Sequence, residues 1–192
     1  MPFNYNRNMK LYNEEIVLTG LRSSDPILQK KAFEQLVNYY SEKLYWHIRK
    51  MVLSHDDAND LLQNTFIKVW MNIESFRGDA KLSTWLYKIA VNESITFLNK
   101  QRLQNKISID DEDTFLSDKL ETDSYFDGDE AELKLQKAIL TLPEKQRTVF
   151  NMRYFDEMPY EEIAEIMGTT VGAQKASYHH AVKKIEDFLD KD

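Results

Sequence analysis

Two stretches of this chain hold residues whose types and spacing suit contact with nucleic acid. From Arg77 to Lys106, Trp85 and Tyr87 stand among Arg77, Lys81, Lys88, Lys100, Arg102 and Lys106, with only Asp79 and Glu93 opposed to them. Aromatic faces stack on unpaired bases and a basic strip tracks phosphates, which is the chemistry of single-strand binding. Trp85 has an equal claim to a place in a core, and residue types alone leave both readings open. The second stretch, VGAQKASYHH from Val171, opens on the small residues Gly172 and Ala173 and offers Lys175, Ser177, His179, His180 and, just beyond, Lys183 as hydrogen-bonding groups. A helix of that kind can read base edges in a major groove. An ordinary helical hairpin with a polar outer face would look similar. A third group, Asp60, Gln63 and Asn64 near Trp70, is either a partner surface or a solvated helix face.

Catalytic chemistry finds no foothold. There is no Gly-rich phosphate loop, no His-x-x-x-His pair and no nucleophile motif. Adjacent helical residues point roughly 100° apart, so His179 and His180 chelate a metal poorly. The carboxylates Asp56-Asp57 and Glu161-Glu162 sit at expected helix starts, where the positive end of the helix favours them. We therefore expect no catalytic residues, no metal, no cofactor and no small-molecule substrate.

The elements that must position these groups all read as helices. Asn13–Leu21 suggests a short helix ending at Gly20. Asp25 followed by Pro26 is a start signal, and Leu28, Phe33, Leu36, Val37, Tyr40, Leu44, Ile48 and Val52 recur at helical spacing to about Leu53. Ser54 caps the next helix, whose apolar face is Ala58, Leu61, Leu62, Phe66, Val69, Trp70 and Ile73, with Asp57, Asp60, Gln63, Asn64, Ile67, Lys68 and Met71 on the other side. Phe76–Asp79 breaks the pattern at Gly78. Ser83 or Thr84 then caps a helix to about Arg102, with Leu86, Ile89, Ala90, Phe97 and Leu98 inward. In the last third, Ala131–Leu140, a helix after Pro143 with Val149, Phe150, Met152 and Tyr154 inside, Tyr160–Met167, and a final helix capped by Thr169 or Thr170 make a helix-turn-helix behind two supporting helices. The expected fold is all-α, two small helical domains.

Charge divides the chain the same way. Residues 1–107 carry 15 Lys and Arg against 11 Asp and Glu, residues 108–132 carry one Lys against 11, and residues 133–192 carry 9 against 10. The overall net charge of -7 thus hides a body of slightly positive balance behind one acidic segment of net -10. That segment has few aliphatics and no helical period, so it reads as a flexible, extended linker. The expected organisation is 1–107 as one domain, 108–132 as the acidic linker and 133–192 as the helix-turn-helix domain. The chain has no cysteine, and its first residues carry no apolar leader, which points to the cytoplasm.

Taken together, these residues resemble a bacterial RNA polymerase sigma factor of the extracytoplasmic-function (ECF) subfamily. DDANDLLQNTFIKVW looks like the helix that docks on the polymerase, FRGDAKLSTWLYKIAVN like the segment that melts the promoter and captures the minus-ten element, and LPEKQRTVF through AVKKI like the fourth sigma region, which reads the minus-thirty-five element. The resemblance covers about Pro26 to Phe188. It implies core-polymerase contacts at Asp60, Gln63, Asn64 and Trp70. It implies minus-ten strand capture by Arg77, Lys81, Leu82, Ser83, Thr84, Trp85, Lys88 and Asn92. It implies minus-thirty-five contacts at Val171, Gly172, Ala173, Lys175, Ser177, His179, His180 and Lys183. Asn64 stands where Glu is usual, Gln174 where an aliphatic is common, and Ser177 and His180 where Arg is frequent. The implied partners are core RNA polymerase, promoter DNA and an anti-sigma factor, often membrane-anchored in such systems. In that setting the acidic linker would face the basic interior of the polymerase. Two other readings use the same residues: a sigma-mimicking adaptor that sequesters an anti-sigma factor, and a free-standing helix-turn-helix regulator. The first would not need the basic and aromatic residues of 77–88, and the second leaves the N-terminal helices without a role.

Overall fold

The structure is a computed structural model that describes residues 12–104, 120 and 130–191. Among these residues the regular elements are eight α-helices and one short 3-10 turn. They are α1 (Glu14–Leu21), α2 (Pro26–Val52), α3 (His55–Asn72), the turn Ile73–Ser75, α4 (Leu82–Gln104), α5 (Glu130–Leu140), α6 (Glu144–Tyr154), α7 (Tyr160–Met167) and α8 (Val171–Leu189). The fold is all-α, as expected.

Local chemistry sets most of the helix starts. Asp25 accepts from the Ile27 amide at 2.8 Å and Pro26 fills the first turn of α2. Ser54 accepts from the Asp57 amide at the start of α3, where Asp56 and Asp57 lie at the positive end. Thr170 accepts from the Ala173 amide at the start of α8, and Gly168 closes α7 in the left-handed conformation at φ 64°. α4 departs from expectation. It begins at Leu82, so Ser83 and Thr84 lie inside the helix, and the Leu82 amide donates instead to the Glu14 carboxylate of α1 at 3.4 Å.

α2 is the long axis on which α1, α3 and α4 pack. Leu36, Leu44, Ile48 and Val52 on its inner face are wholly buried, each stabilising the fold by about 1.5–3 kcal/mol. Gly20 lets α1 lie close against α2: a Cβ there would come within 2.6 Å of the Ala32 Cβ. The helix also runs one residue beyond Gly20, to Leu21, which is wholly buried. Two expected core residues turn outward, Leu28 at 51% exposure and Tyr154 at 51%.

The C-terminal helices build a second cluster from Ala138, Ile139, Leu142, Phe150, Ala181 and Ile185, under which α5 and α6 support α8. The two halves do not stay apart. Val149, Met152, Met158, Ile163 and Ile166 belong to the same continuous apolar cluster as the N-terminal helices, with α7 against α4 and α6 against α2. Nearly all of the acidic segment falls outside the described residues. The exceptions are Leu120, which is helical and buried against Leu53 and Leu140, and residues 130–132, which form the first turn of α5, so at these points the segment is not extended chain.

Candidate nucleic-acid interface

α3 presents one continuous outer stripe. Asp60, Gln63, Asn64, Ile67 and Met71 are all exposed, at the three- and four-residue spacing that shares a helix face. Ile67 is 55% and Met71 74% exposed, an apolar centre beside the polar groups. Trp70 is 40% exposed and leans edge-on against Phe33 at 4.8 Å, so it serves the core on one side and the surface on the other. Lys68 is joined to Glu93 of α4, which ties α3 to the helix that follows the turn.

The turn between α3 and α4 is held from below by α1. The Arg22 guanidinium donates to the Phe76 carbonyl at 2.7 Å, Phe76 itself is buried, and Glu14 reaches the start of α4. Arg77, Gly78 and Asp79 stand out from this base, with Gly78 at φ 84° in open space. Only glycine takes that backbone conformation without strain. Arg77, Lys81, Lys88 and Asn92 are exposed, and Ser83 and Trp85 are half-buried. The Trp85 ring packs against Phe76 at 5.2 Å between centroids, so part of its face belongs to the core and part reaches the surface.

Three residues of this stretch do not fit a surface role. Leu82 is wholly buried and Thr84 is 2% exposed, so neither side chain is presented to a ligand in this conformation. Tyr87, with Trp85 a candidate stacking residue, is 7% exposed and lies edge-on to His47 at 5.1 Å. Burial, with Asp156 nearby, pushes its phenol well above the ordinary value, so it stays neutral inside the fold.

In α8 the exposed groups are Gly172, Ala173, Lys175, His179, His180 and Lys183, with Val171 and Ser177 half-buried. Nothing lies within 4 Å of the place a Gly172 Cβ would take, so the helix start is open to a close approach. Lys175 lies over the Tyr160 ring at 5.8 Å. Gln174 is turned inward and is 3% exposed, with its amide donating to the Thr169 hydroxyl. A polar residue is thus accommodated at a buried position because the turn before α8 supplies its partner.

Sequence reasoning missed the supporting residues. Arg22 and Glu14 act across 54 and 68 positions, and no local pattern marks them. It also read Glu162 only as a helix-start carboxylate, whereas Glu162 forms an ion pair with Lys81.

An exposed helical stripe, a clamped basic-aromatic turn and an open helix-turn-helix define a helical protein built to bring nucleic acid and a protein partner together. Comparison with known proteins gives the family. The sigma-70 region 2 family model matches residues 36–104 and the sigma-70 region 4 model matches residues 132–185. The ECF RNA polymerase sigma factor SigW of Bacillus subtilis (strain 168) is 33% identical over 166 residues, covering 82% of this chain and 89% of that protein. The ECF RNA polymerase sigma-E factor of Haemophilus influenzae is 34% identical over 168 residues, covering 83% and 88%. In fold, the sigma factor RpoE bound to the anti-sigma factor NepR from Bartonella quintana superposes with a TM-score of 0.66 at 24% identity, covering 84% of this chain and 99% of that one. CnrH in complex with the cytosolic domain of CnrY gives 0.66 at 22%, covering 92% and 97%. The chain belongs to the ECF subfamily of RNA polymerase sigma factors.

Proposed function

We propose that this alternative sigma factor docks on core RNA polymerase through the α3 stripe, reads the minus-thirty-five element with α8 and opens the minus-ten element at the turn before α4. The observation that carries the docking site is the exposed run Asp60, Gln63, Asn64, Ile67 and Met71, polar groups around an apolar centre, on a helix whose opposite face is core. Trp70 closes one edge of that surface. Asn64, where a carboxylate is usual, keeps a hydrogen-bond acceptor without the charge.

Arg77, Lys81, Lys88 and Asn92 supply the phosphate and base contacts of the melting site, with the outer part of Trp85 as the stacking surface. Unstacking a base costs a few kcal/mol, which those contacts must return. Ser177 and His180 in place of guanidinium groups give α8 a weaker phosphate grip, offset by tethering on the polymerase. The domains are 1–107 and 133–192, joined by residues 108–132. RNA synthesis stays with the polymerase; this chain contributes promoter choice and has no catalytic residues of its own. We place it in the cytoplasm, where its polymerase is, under an anti-sigma factor.

Run-off transcription with core polymerase on genomic fragments tests the reading. Stimulation of discrete transcripts is expected; none, beside an active control sigma factor, would overturn it.

A further inference from the structure

The turn that carries the proposed melting site has both of its ends fixed by one helix. Residues 77–81 form no regular element; the chain enters them from Phe76 and leaves them at Leu82. At the entry, the Arg22 guanidinium donates to the Phe76 carbonyl at 2.7 Å. At the exit, the Glu14 carboxylate accepts from the Leu82 amide at 3.4 Å. Glu14 opens α1 and Arg22 caps its other end. α1 is itself seated on α2. Val17 and Leu21 are buried, Gly20 lies close to Ala32, and the Gln29 side-chain amide donates to the Leu21 carbonyl at 3.2 Å. α1 is thus a fixed spacer of eight residues, roughly 12 Å long, with one anchor at each end.

Both anchors grip backbone and leave the side chains of the turn alone. Arg77, Asp79 and Lys81 stay exposed. The Phe76 ring is buried and packs on Trp85 at 5.2 Å, so holding the Phe76 carbonyl also holds the ring under the proposed stacking surface. At the apex, nothing lies within 4 Å of the place a Gly78 Cβ would take, so the order of the turn comes from its ends. A segment ordered before it binds has less conformational freedom left to lose on binding. Releasing one end restores that freedom and its cost.

We propose that Glu14 and Arg22 are positioning residues for strand capture: α1 holds the turn at a set span, so that unpaired minus-ten bases meet a preformed site, and it acts through the Phe76 carbonyl and the Leu82 amide. The role in capture rests on the melting-site reading above; the hold on the turn does not. Charge separates positioning from direct contact with DNA. Glu14 is a carboxylate beside a basic stretch, so if it acted by charge alone its removal would favour a polyanion. As an anchor, its removal weakens capture. Arg22 is exposed and cationic. Were it a phosphate contact, its loss would also lower the salt dependence of binding.

The test uses holoenzyme assembled from core polymerase and the full-length chain, below the melting temperature of every variant. The probe is a fluorescent single-stranded oligonucleotide carrying the non-template minus-ten strand of a promoter that the parent transcribes. Arg22→Ala should weaken its capture about 10-fold and Glu14→Ala about 3-fold, the scale of one lost hydrogen bond from a charged group and of one longer contact. Arg22→Lys and Glu14→Gln, which keep the donor and the acceptor, should recover most of the loss, with core binding unchanged throughout. In the free chain, hydrogen exchange over residues 76–82 should quicken in both alanine variants, while α3 and the later turns of α4 exchange as in the parent. Parent-like exchange over residues 76–82 overturns the hold on the turn. Quickened exchange with parent-like capture overturns the role in strand capture. Tighter capture by Glu14→Ala, or a salt slope lowered by about 0.7 in Arg22→Ala, assigns the effect to charge and overturns positioning. A parent holoenzyme that transcribes none of the genomic fragments overturns the sigma-factor reading and the role in capture with it, while exchange still decides the hold on the turn.

Discussion

Gln174 shows how one side chain is made acceptable by another. Its amide is buried and donates to Thr169, which precedes the cap of α8. Removing the acceptor should cost more than removing both groups, because an unpaired buried amide bears its full desolvation penalty. Thr169→Val should destabilise the chain by about 1–3 kcal/mol, and Thr169→Val in a Gln174→Leu background by much less. Urea denaturation of the four chains of that cycle measures the difference. On the docking stripe, Asp60→Ala with Gln63→Ala should abolish capture of core polymerase while leaving far-UV helicity unchanged, since both side chains are exposed. Normal capture would remove the α3 stripe as the docking site.

At the scale of elements, α1 earns its place through two long-range bonds and one close approach. It carries Glu14, which meets the start of α4, and leads into Arg22, which holds the Phe76 carbonyl. Glu14→Ala should lower stability by about 0.5–2 kcal/mol, the ordinary range for a lost helix cap, and nearer the lower end given the 3.4 Å contact. Gly20→Ala should cost about 1–3 kcal/mol, because α1 must move off Ala32 to admit a methyl group. Thermal melts followed by circular dichroism check both. A larger loss in Glu14→Ala than in Gly20→Ala would reverse the expected order.

The chain just before α1 also packs on α2 through an aromatic group, with Tyr12 stacked on Tyr39 at 3.8 Å and edge-on to Tyr40 at 5.6 Å. Burial pushes the Tyr12 phenol up to about 12, and the Tyr40 phenol higher still. A group whose folded pKa is raised holds its proton more tightly when folded. Its contribution is intact below the ordinary tyrosine value of 10.0 and is lost as pH rises through the folded value. Stability should therefore fall from about pH 10 upward. In an absorbance titration the late phenolates should appear together with loss of helicity, and late ionisation with helicity intact would contradict this.

For the whole molecule, the question is what the two halves do together. Tyr87 lies at their contact, and its phenol is raised by burial and by Asp156. Tyr87→Phe should keep the fold and remove part of its alkaline sensitivity, read by circular dichroism against pH; an unchanged alkaline profile would contradict this. The acidic segment belongs to this scale too. Leu120 within it is buried between Leu53 of the N-terminal half and Leu140 of the C-terminal half, so Leu120→Ser should lower the melting temperature followed by circular dichroism, and an unchanged melt would contradict it.

Most of the helices, and the family, follow from local residue patterns. Caps such as Asp25 and Ser54, the apolar spacing of Leu36, Leu44 and Ile48, and the outward run Asp60–Met71 all act within a turn or two of their own positions, so periodicity and capping chemistry reveal them. The helix-turn-helix is legible for the same reason. Side-chain fates in the melting stretch are not. Leu82, Thr84 and Tyr87 are enclosed because α2, α3 and the C-terminal half close over α4, and no spacing within residues 77–92 records what packs on them. The start of α4 at Leu82, the clamp from Arg22 and the pairs His47–Asp156 and Lys81–Glu162 join residues 54 to 109 positions apart. Such contacts depend on how helices pack in three dimensions, and only the tertiary structure decides them.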